Sequence, residues 1–365
     1  MAVVQHWDFP MARLFIPGPT DVDPDVLAAQ AQPMIGHRSA ALAELLARIQ
    51  PRLQRVFATG QRVYITASSG TGLIEGALRN CVGRRLLVCS CGAFGERWAE
   101  AAEANGLPCD RLAAEWGQPN LPEQVQAGLG RGDYDALLVV HNETSTGVEN
   151  PLQQIAAAAR AAQPELVILV DAVSSAGGVP LETEAWGLDV VVTSSQKCFA
   201  LPPGLAFAAV SDRALARAGS VPHRGLYFDF LRMEEYQQRN SSPSTPAISL
   251  LFALDLQLER MLAEGLPARV ERHRQLAELA QTWGAERFGL FAAEGYRSRT
   301  VTALVNTRSL DVAALNAHLA GQGMSLSNGY GRLKGSTFRI GHMGEIRPAD
   351  LQTLLDRVDD FLRAS

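Results

Sequence analysis

The sequence has little of what marks a membrane, secreted or nucleic-acid-binding protein. No stretch of its 365 residues approaches the roughly 20 consecutive apolar residues of a membrane helix. The N-terminus, MAVVQHWDFPMARLF, has no basic start followed by an unbroken apolar run, so it does not indicate a secretory signal. There is no block rich in lysine and arginine, and the formal net charge is −5, which argues against a nucleic-acid or membrane-surface partner. We therefore expect a soluble, cytoplasmic protein.

Cysteine is scarce, and its pattern indicates neither disulfides nor a metal site. The five cysteines are odd in number, and reduced thiols in a cytoplasm suit a protein of this size better than disulfides. Cys89 and Cys91 are spaced like half of a metal site, but no second cysteine or histidine pair at ligand spacing follows them. We interpret them as small buried thiols at the end of a strand, and we predict no bound metal.

Short, continuous apolar runs alternate with helical patterns along the first two thirds of the chain. Such runs are typical of strands that are buried on both faces of a parallel sheet. The helical patterns include FGERWAEAAEANG and PLQQIAAAARAAQP, which end at a glycine and at a proline. The alternation predicts an α/β fold with a mostly parallel sheet covered by helices on both sides. The predicted strands are Arg62–Thr66, Arg85–Cys89, Ala136–Val140, Leu166–Val170, Asp189–Thr193 and Leu205–Val210.

The C-terminal third has a different pattern. From about Pro246 there are two long amphipathic helices, then two shorter strands (TVTALVN and STFRIGH) and a closing helix. This order predicts a smaller α+β domain attached through a long helix. We place an N-terminal segment near the functional site at residues 1–20, the large domain at residues 21–250 and the small domain at residues 251–365.

The residues that follow each strand are the candidate functional residues, because ligands of an open parallel sheet bind outside the carboxyl ends of its strands. After the first predicted strand, Ser69, Gly70 and Thr71 stand at the start of a helix. Backbone N–H groups and hydroxyls at such a position can hold a phosphate. Ordinary N-capping by Ser69 or Thr71 is the alternative, and this segment alone leaves both open.

The later strands bring groups of different chemistry to the same edge. Phe94, between two glycines, suits a planar ligand or the core, and the segment HNETSTG is a cluster of hydroxyls and amides. Asp171 ends an apolar strand, where a carboxylate is costly to bury unless a positive group meets it. Lys197 follows the fifth strand and precedes the apolar CFALPPG. Pyridoxal 5′-phosphate needs this set: donors for its phosphate, a flat partner and a carboxylate for its ring, and a lysine for its aldehyde.

Several motifs in order resemble those of the class V group of fold-type I pyridoxal-phosphate enzymes, the alanine/serine–glyoxylate (serine–pyruvate) aminotransferases. The resemblance runs from LFIPGPTDVDPDVL near the start to TFRIGHMGEIRPADL near the end. It implies a large domain with a mostly parallel sheet flanked by helices, and a smaller C-terminal α+β domain. The motifs that carry it most specifically are PGPT, GHRSAAL, SSGTGLIEGAL, HNETSTGV, VDAVSSAGG, SSQKCFALPPGL, STPAISLLFAL and FRIGHMG.

For the reacting centre, the resemblance implies roles for four residues. Lys197 would bind the cofactor aldehyde covalently and, once released by the substrate, move a proton between the substrate α-carbon and the cofactor. Asp171 would pair with the ring nitrogen, and Val173 and Phe94 would contact opposite faces of the ring. Animal enzymes usually have tryptophan where this chain has Phe94, which leaves the strength of the stacking open.

The resemblance also implies how the cofactor phosphate is held. Ser145 would lie near the 3′-oxygen of the cofactor, and Thr245 would reach the phosphate from the neighbouring subunit of a homodimer with shared active sites. A tyrosine that often accompanies this threonine is replaced by Ser242. The other phosphate-binding residues would be Ser69, Gly70, Thr71 and Gln196.

Substrate binding is assigned in the same way. Arg339, in FRIGH, would bind the substrate α-carboxylate in a bidentate fork, which a lysine could not do as well. The backbone near Gly18 would help to fix this carboxylate, and His37 would be a further substrate-binding residue.

The implied reaction moves the amino group of alanine or serine to a 2-oxo acid, glyoxylate or pyruvate. A phosphoserine aminotransferase stays an alternative because its HRS element is similar to GHRS (Gly36–Ser39) of this chain. An aspartate-specific enzyme is another alternative, and it would use His37, Arg38 or His342 for the side-chain carboxylate. A cysteine desulfurase needs a C-terminal cysteine, and none follows Cys198, which we interpret as a packing residue. The intact lysine, aspartate and arginine argue against a non-enzymatic relative.

Overall fold

The computed structural model describes residues 13–364 and contains two main β-sheets with their helices. The strands are β1 (Arg13–Phe15), β2 (Arg62–Thr66), β3 (Leu86–Ser90), β4 (Cys109–Ala113), β5 (Ala136–Val140), β6 (Asn142–Glu143), β7 (Val148–Glu149), β8 (Val167–Asp171), β9 (Val190–Ser194), β10 (Ala206–Val210), β11 (Gly289–Leu290), β12 (Val301–Val305), β13 (Met324–Asn328) and β14 (Thr337–Gly341). The helices are α1 (Pro24–Ala29), α2 (Ala40–Phe57), α3 (Gly70–Cys81), α4 (Ala93–Ala104), α5 (Pro122–Leu129), α6 (Leu152–Ala162), α7 (Asp212–Ser220), α8 (Phe230–Gln237), α9 (Ile248–Glu264), α10 (Leu266–Arg287), α11 (Val312–Ala320) and α12 (Pro348–Ala364).

The larger sheet has seven strands in the order β2-β10-β9-β8-β5-β3-β4. Strand β10 is antiparallel to both of its neighbours, and the other neighbouring pairs are parallel. The prediction of a mostly parallel sheet is therefore confirmed. Because β2, β3, β5, β8 and β9 run in the same direction, their carboxyl ends meet at one edge of the sheet.

Both faces of this sheet are buried, which explains the continuous apolar runs. Along β8, Ile168 and Val170 join one hydrophobic core. Val167 and Leu169 join a second core on the opposite face. This alternation is the period of two that a strand imposes on its side chains.

The smaller sheet has the order β1-β13-β14-β12-β11, and only the β1–β13 pair in it is parallel. Phe15 of β1 is 1% exposed and packs in the core of this sheet with Leu276 and Phe338. A segment from near the start of the chain thus completes a sheet that is otherwise C-terminal. The division into domains at residues 20 and 250 stays a prediction, and residues 1–12 of its first segment lie outside the described residues.

None of the helices between residues 13 and 364 is long and apolar enough to span a membrane.

Candidate active site

A cavity of about 190 Å³ opens at the carboxyl edge of the larger sheet. It brings together eight residues that the sequence predicts for the site: Ser69, Gly70, Thr71, Phe94, Asp171, Val173, Gln196 and Lys197. Five further lining residues were not predicted: Arg97, Trp98, Asn142, Thr144 and Ser194. Phe94, Arg97 and Trp98 lie at i, i+3 and i+4 of helix α4 and so share one of its faces. This helical spacing from Phe94 is the sequence signal from which Arg97 and Trp98 could have been predicted.

Lys197 lies just beyond β9, and the segment before the first helix crosses over it. Its Nζ donates to the backbone carbonyl of Pro17. Gly18 has φ +97, and a Cβ there would stand 2.6 Å from the Lys197 side chain, so only glycine suits this crossing. Burial, followed by the nearby charge of Arg339, lowers the pKa of Lys197 to about 8. The lysine is therefore neutral in an appreciable fraction of molecules near physiological pH.

Asp171 ends β8 and is held by two donors. Its Oδ1 accepts from the backbone N–H of Val173 at 2.9 Å, and its Oδ2 accepts from the indole N–H of Trp98 at 2.7 Å. The side chain is only 4% exposed. Burial raises the pKa of Asp171, and the two hydrogen bonds oppose that rise. The carboxylate thus has a fixed orientation on the cavity wall.

Glu143, a residue that the sequence did not single out, holds the start of helix α4. Its Oε2 accepts from the backbone N–H groups of Phe94 and Gly95 at 3.0 and 3.1 Å, and its Oε1 accepts from the Ser145 hydroxyl at 2.6 Å. That hydroxyl accepts in turn from the backbone N–H of Ala93 at 2.9 Å. Glu143 therefore caps the helix that carries Phe94, and Ser145 lies fully buried behind the lining rather than on it.

Arg339, on β14, does not line the cavity itself but contacts Thr144, which does. Its Nη1 donates to the Thr144 carbonyl at 3.1 Å, and its Nε donates to the Asn328 carbonyl at 3.2 Å. Its Cζ lies 5.4 Å from the centre of the Tyr330 ring. Burial lowers the pKa of Arg339 to about 10, and the charges of Tyr330 and Glu143 oppose this lowering.

Two predicted site residues lie away from the cavity within this chain. His37 and Thr245 are both exposed. Thr245 borders a separate surface depression together with Tyr227 and Ala67. Neither lines the cavity that holds Lys197.

The two other side chains considered for an aspartate-type substrate are also engaged elsewhere. Arg38 is exposed and donates to the Ser242 carbonyl at 2.7 Å. His342 is fully buried, and its Nε2 lies 2.9 Å from the Thr302 hydroxyl. His342 therefore packs inside the protein and does not line the cavity.

The lining of the cavity suits the predicted cofactor. Ser194 Oγ, Gln196 Oε1 and Asn142 Oδ1 are buried and have no hydrogen-bond partner within residues 13–364. A buried polar atom left unpaired costs about 1–3 kcal/mol, so such atoms favour a polar ligand. Ser69 is the N-cap of α3, with its hydroxyl 3.4 Å from the Gly72 N–H, so N-capping and proximity to the cavity both hold at this residue.

The cysteines take no part in the cavity. Cys89 and Cys91 are 1% exposed, and burial raises the pKa of both thiols, that of Cys89 to about 12. Cys198 is fully buried, with its Sγ 3.7 Å from the Ser174 carbonyl. Within the described part of the chain, no group of three or more His, Cys, Asp or Glu side chains is arranged to hold a metal ion.

Comparison with known proteins extends this picture over nearly the whole chain. A relative from Synechococcus named soluble hydrogenase, small subunit, is 36% identical over 364 residues, which cover 96% of this chain and 93% of the relative. The L-aspartate–glyoxylate aminotransferase of Paracoccus denitrificans is 32% identical over 348 residues, which cover 92% of this chain and 87% of the relative.

A solved structure shares the fold throughout. The alanine–glyoxylate aminotransferase of Nostoc superimposes with a TM-score of 0.92 at 27% identity and covers 99% of this chain and 98% of its own. The family model described as aminotransferase class-V matches residues 27–347. The chain therefore belongs to the class-V aminotransferase family and is a pyridoxal-phosphate-dependent enzyme of fold type I.

Proposed function

We propose that the protein transfers the amino group of a small amino acid, alanine or serine, to a 2-oxo acid, glyoxylate or pyruvate. One observation carries the proposal: Lys197, with a pKa lowered to about 8, shares a cavity with the buried carboxylate of Asp171. Both aminotransferases compared above have glyoxylate in their names, which supports a small acceptor. Phosphoserine or aspartate as the donor is the alternative within the same class.

The proton transfer is assigned to Lys197. Bound pyridoxal phosphate supplies an electron-withdrawing ring that stabilises negative charge at the substrate α-carbon. Asp171, oriented by Val173 and Trp98, would keep the ring nitrogen protonated. The neutral Nζ of Lys197 would take the proton from the substrate α-carbon and pass it to the cofactor. A base with a pKa near the working pH is best suited to both steps.

The cofactor would be held by residues from four parts of the site. The start of α3 offers Ser69, Gly70 and Thr71, and the turn after β9 offers Gln196, for the phosphate. Phe94 and Val173 would contact the two faces of the ring, and Glu143 would keep Phe94 in place. Ser145 near the 3′-oxygen stays a prediction, since its hydroxyl is already bonded to Glu143.

The substrate α-carboxylate would be bound by Arg339. Burial of this guanidinium excludes water and makes a bidentate pair with a carboxylate stronger than it would be at the surface. The crossing at Gly18 brings the N-terminal segment against Lys197, so its backbone is positioned to close over the same carboxylate. His37 stays a proposed substrate contact.

We further propose that the enzyme is a cytoplasmic homodimer in which Thr245 of one subunit reaches the phosphate of the other. Thr245 and His37 are exposed, and neither lines the cavity of the subunit to which it belongs. Large apolar side chains are also exposed nearby along the chain, with Leu226 at 70% and Met34 at 69%. Covering these side chains in a subunit interface would be favourable.

A donor screen tests the proposed function. The purified enzyme with pyridoxal phosphate is mixed with glyoxylate and, in turn, alanine, serine, aspartate and phosphoserine, and glycine formation is measured. We expect transfer from alanine or serine, and no transfer by Lys197→Ala. A kcat/KM for phosphoserine far above that for alanine and serine would contradict the choice of donor, and the absence of glycine with every donor would contradict the function.

A further inference from the structure

Among residues 13–364, one guanidinium lines the cavity, that of Arg97, and the reaction described above does not use it. Arg97 is half-buried and lies one turn of α4 beyond Phe94. Its Nη2 donates to the Tyr330 hydroxyl at 2.6 Å, and its Cζ lies 4.8 Å from the centre of the Phe94 ring. Both partners are neutral. Within residues 13–364, Arg97 forms no ion pair with a carboxylate.

Tyr330 connects this guanidinium to that of Arg339. The Tyr330 ring stacks on Phe94 with 5.6 Å between ring centres and an interplanar angle of 21°. Arg339 lies over the same ring at 5.4 Å. Arg97 and Arg339 are thus separated by one aromatic side chain. The positive charges of both act on Lys197 and add to the lowering of its pKa by burial, which indicates that both lie close to the reacting lysine.

A donor with one carboxylate needs only one of these arginines. A hydroxyl and an aromatic ring stabilise a guanidinium without neutralising it. An unneutralised cation that lines the cavity can therefore receive a second anionic group, and an arginine fork matches a carboxylate well.

We propose that Arg97 binds the side-chain carboxylate of an acidic amino-acid donor, so that the site accepts four-carbon dicarboxylic amino acids as well as alanine and serine. The inference rests on the proposed function, because it names a donor for the same transfer. Tyr330 serves as the positioning residue, since its hydroxyl orients the Arg97 fork and its ring spaces it from Arg339. The phosphate of the cofactor is also an anion that an arginine can bind. The experiment below therefore uses the holoenzyme and also measures the binding of pyridoxal phosphate.

The test measures two ratios in the holoenzyme. The first is kcat/KM for aspartate over that for alanine, with glyoxylate as the acceptor. The second is the Kd of propionate over that of succinate, two unreactive acids with one and two carboxylates, measured by calorimetry. We expect Arg97→Gln to lower each ratio by at least about tenfold, since a hydrogen-bonded charge pair is lost. Arg97→Lys keeps the charge without the fork and should give intermediate ratios.

The matched control is Arg363→Gln, which removes an arginine paired with Asp360 on the exposed face of α12; both ratios should stay at wild-type values. The inference is overturned if Arg97→Gln leaves both ratios unchanged, or if it weakens only the binding of pyridoxal phosphate, which would make Arg97 a cofactor contact. Transfer from alanine without transfer from aspartate in the wild type also overturns it and leaves the proposed function intact. No transfer from any donor overturns the proposed function itself.

Discussion

Lys197 and Lys334 are the only two lysines of the sequence, so amine reactivity gives a direct view of the candidate base. A neutral amine reacts with an acylating reagent and a protonated one does not. Because the pKa of Lys197 is lowered from 10.5 to about 8, we expect its labelling rate to rise with pH to a midpoint of about 8. Peptide mapping by mass spectrometry, in the Lys334→Arg variant without cofactor, measures this rate. A midpoint near 10.5 would show that the lysine is not desolvated.

Trp98 is expected to matter through its hydrogen bond to Asp171. Trp98→Phe keeps an aromatic ring in the core but removes the donor, so the carboxylate loses one of its two anchors. A hydrogen bond to a charged group is worth about 1.5–3 kcal/mol, so we expect pyridoxal phosphate to bind about ten- to a hundredfold more weakly. Titration of the cofactor measures its Kd. The half-buried Trp116 provides the control substitution, and equal affinities in Trp98→Phe and Trp116→Phe would contradict this role.

The residues that the sequence reveals are those whose chemistry conflicts with their surroundings. Asp171 and Lys197 were predicted because a charge at the end of an apolar strand is costly without a function. Glu143, Arg97 and Trp98 were not, because their hydrogen-bond partners Phe94, Tyr330 and Asp171 lie 49, 233 and 73 positions away. The helical spacing from Phe94 is the one local signal for Arg97 and Trp98. The sequence suggested His342 as a substrate contact, but it could not show that this side chain is fully buried away from the cavity.

At the scale of elements, strands with two buried faces were predicted to within one residue at each end. The edge strand β4 was missed because its burial is partial and its sequence, CDRLA, is not continuously apolar. Strand β1 was missed for another reason. It has three residues and pairs with β13, about 310 positions later along the chain, a contact that no local pattern contains.

Helix α4 depends on a close approach to β3. A Cβ at Gly95 would stand 2.6 Å from the Ser90 Cα, a backbone atom that cannot rotate away. We expect Gly95→Ala to lower the free energy of unfolding by about 1–3 kcal/mol and to displace Phe94. Gly219, in α7, has nothing within 4 Å of its Cβ position, so Gly219→Ala should be neutral or stabilising by up to about 1 kcal/mol. Guanidinium unfolding curves compare the two variants, and equal midpoints would contradict the packing argument.

At the scale of the whole molecule, Arg269 ties the lysine loop to the second sheet. It is 1% exposed and donates to the Cys198 carbonyl at 2.7 Å, while its Nη1 lies 2.8 Å from both Glu264 and Glu345. The loop that follows Lys197 is therefore fixed by a long helix, α10, and by the turn after β14. This arrangement gives the lysine a rigid support built from distant parts of the chain.

Removing Arg269 should lower the free energy of unfolding. Arg269→Met leaves the partly buried carboxylates of Glu264 and Glu345 short of one partner, and we expect a loss of about 1–3 kcal/mol in the free energy of unfolding. Arg274, on the same helix, forms exposed ion pairs with Glu271 and Glu278, so Arg274→Met should cost less than about 1 kcal/mol. Denaturant titration of both variants measures the difference. Similar costs would mean that the buried network does not stabilise the fold.

The central claim is that Nζ of Lys197 moves the α-carbon proton of the substrate. Exchange of the α-hydrogen of alanine with D₂O, followed by proton NMR with the cofactor-loaded enzyme and no 2-oxo acid, tests it most directly. The wild type should exchange this hydrogen, and Lys197→Ala, reconstituted with excess pyridoxal phosphate, should do so about 10²–10⁴-fold more slowly. Exchange at a near wild-type rate in the variant would contradict the account.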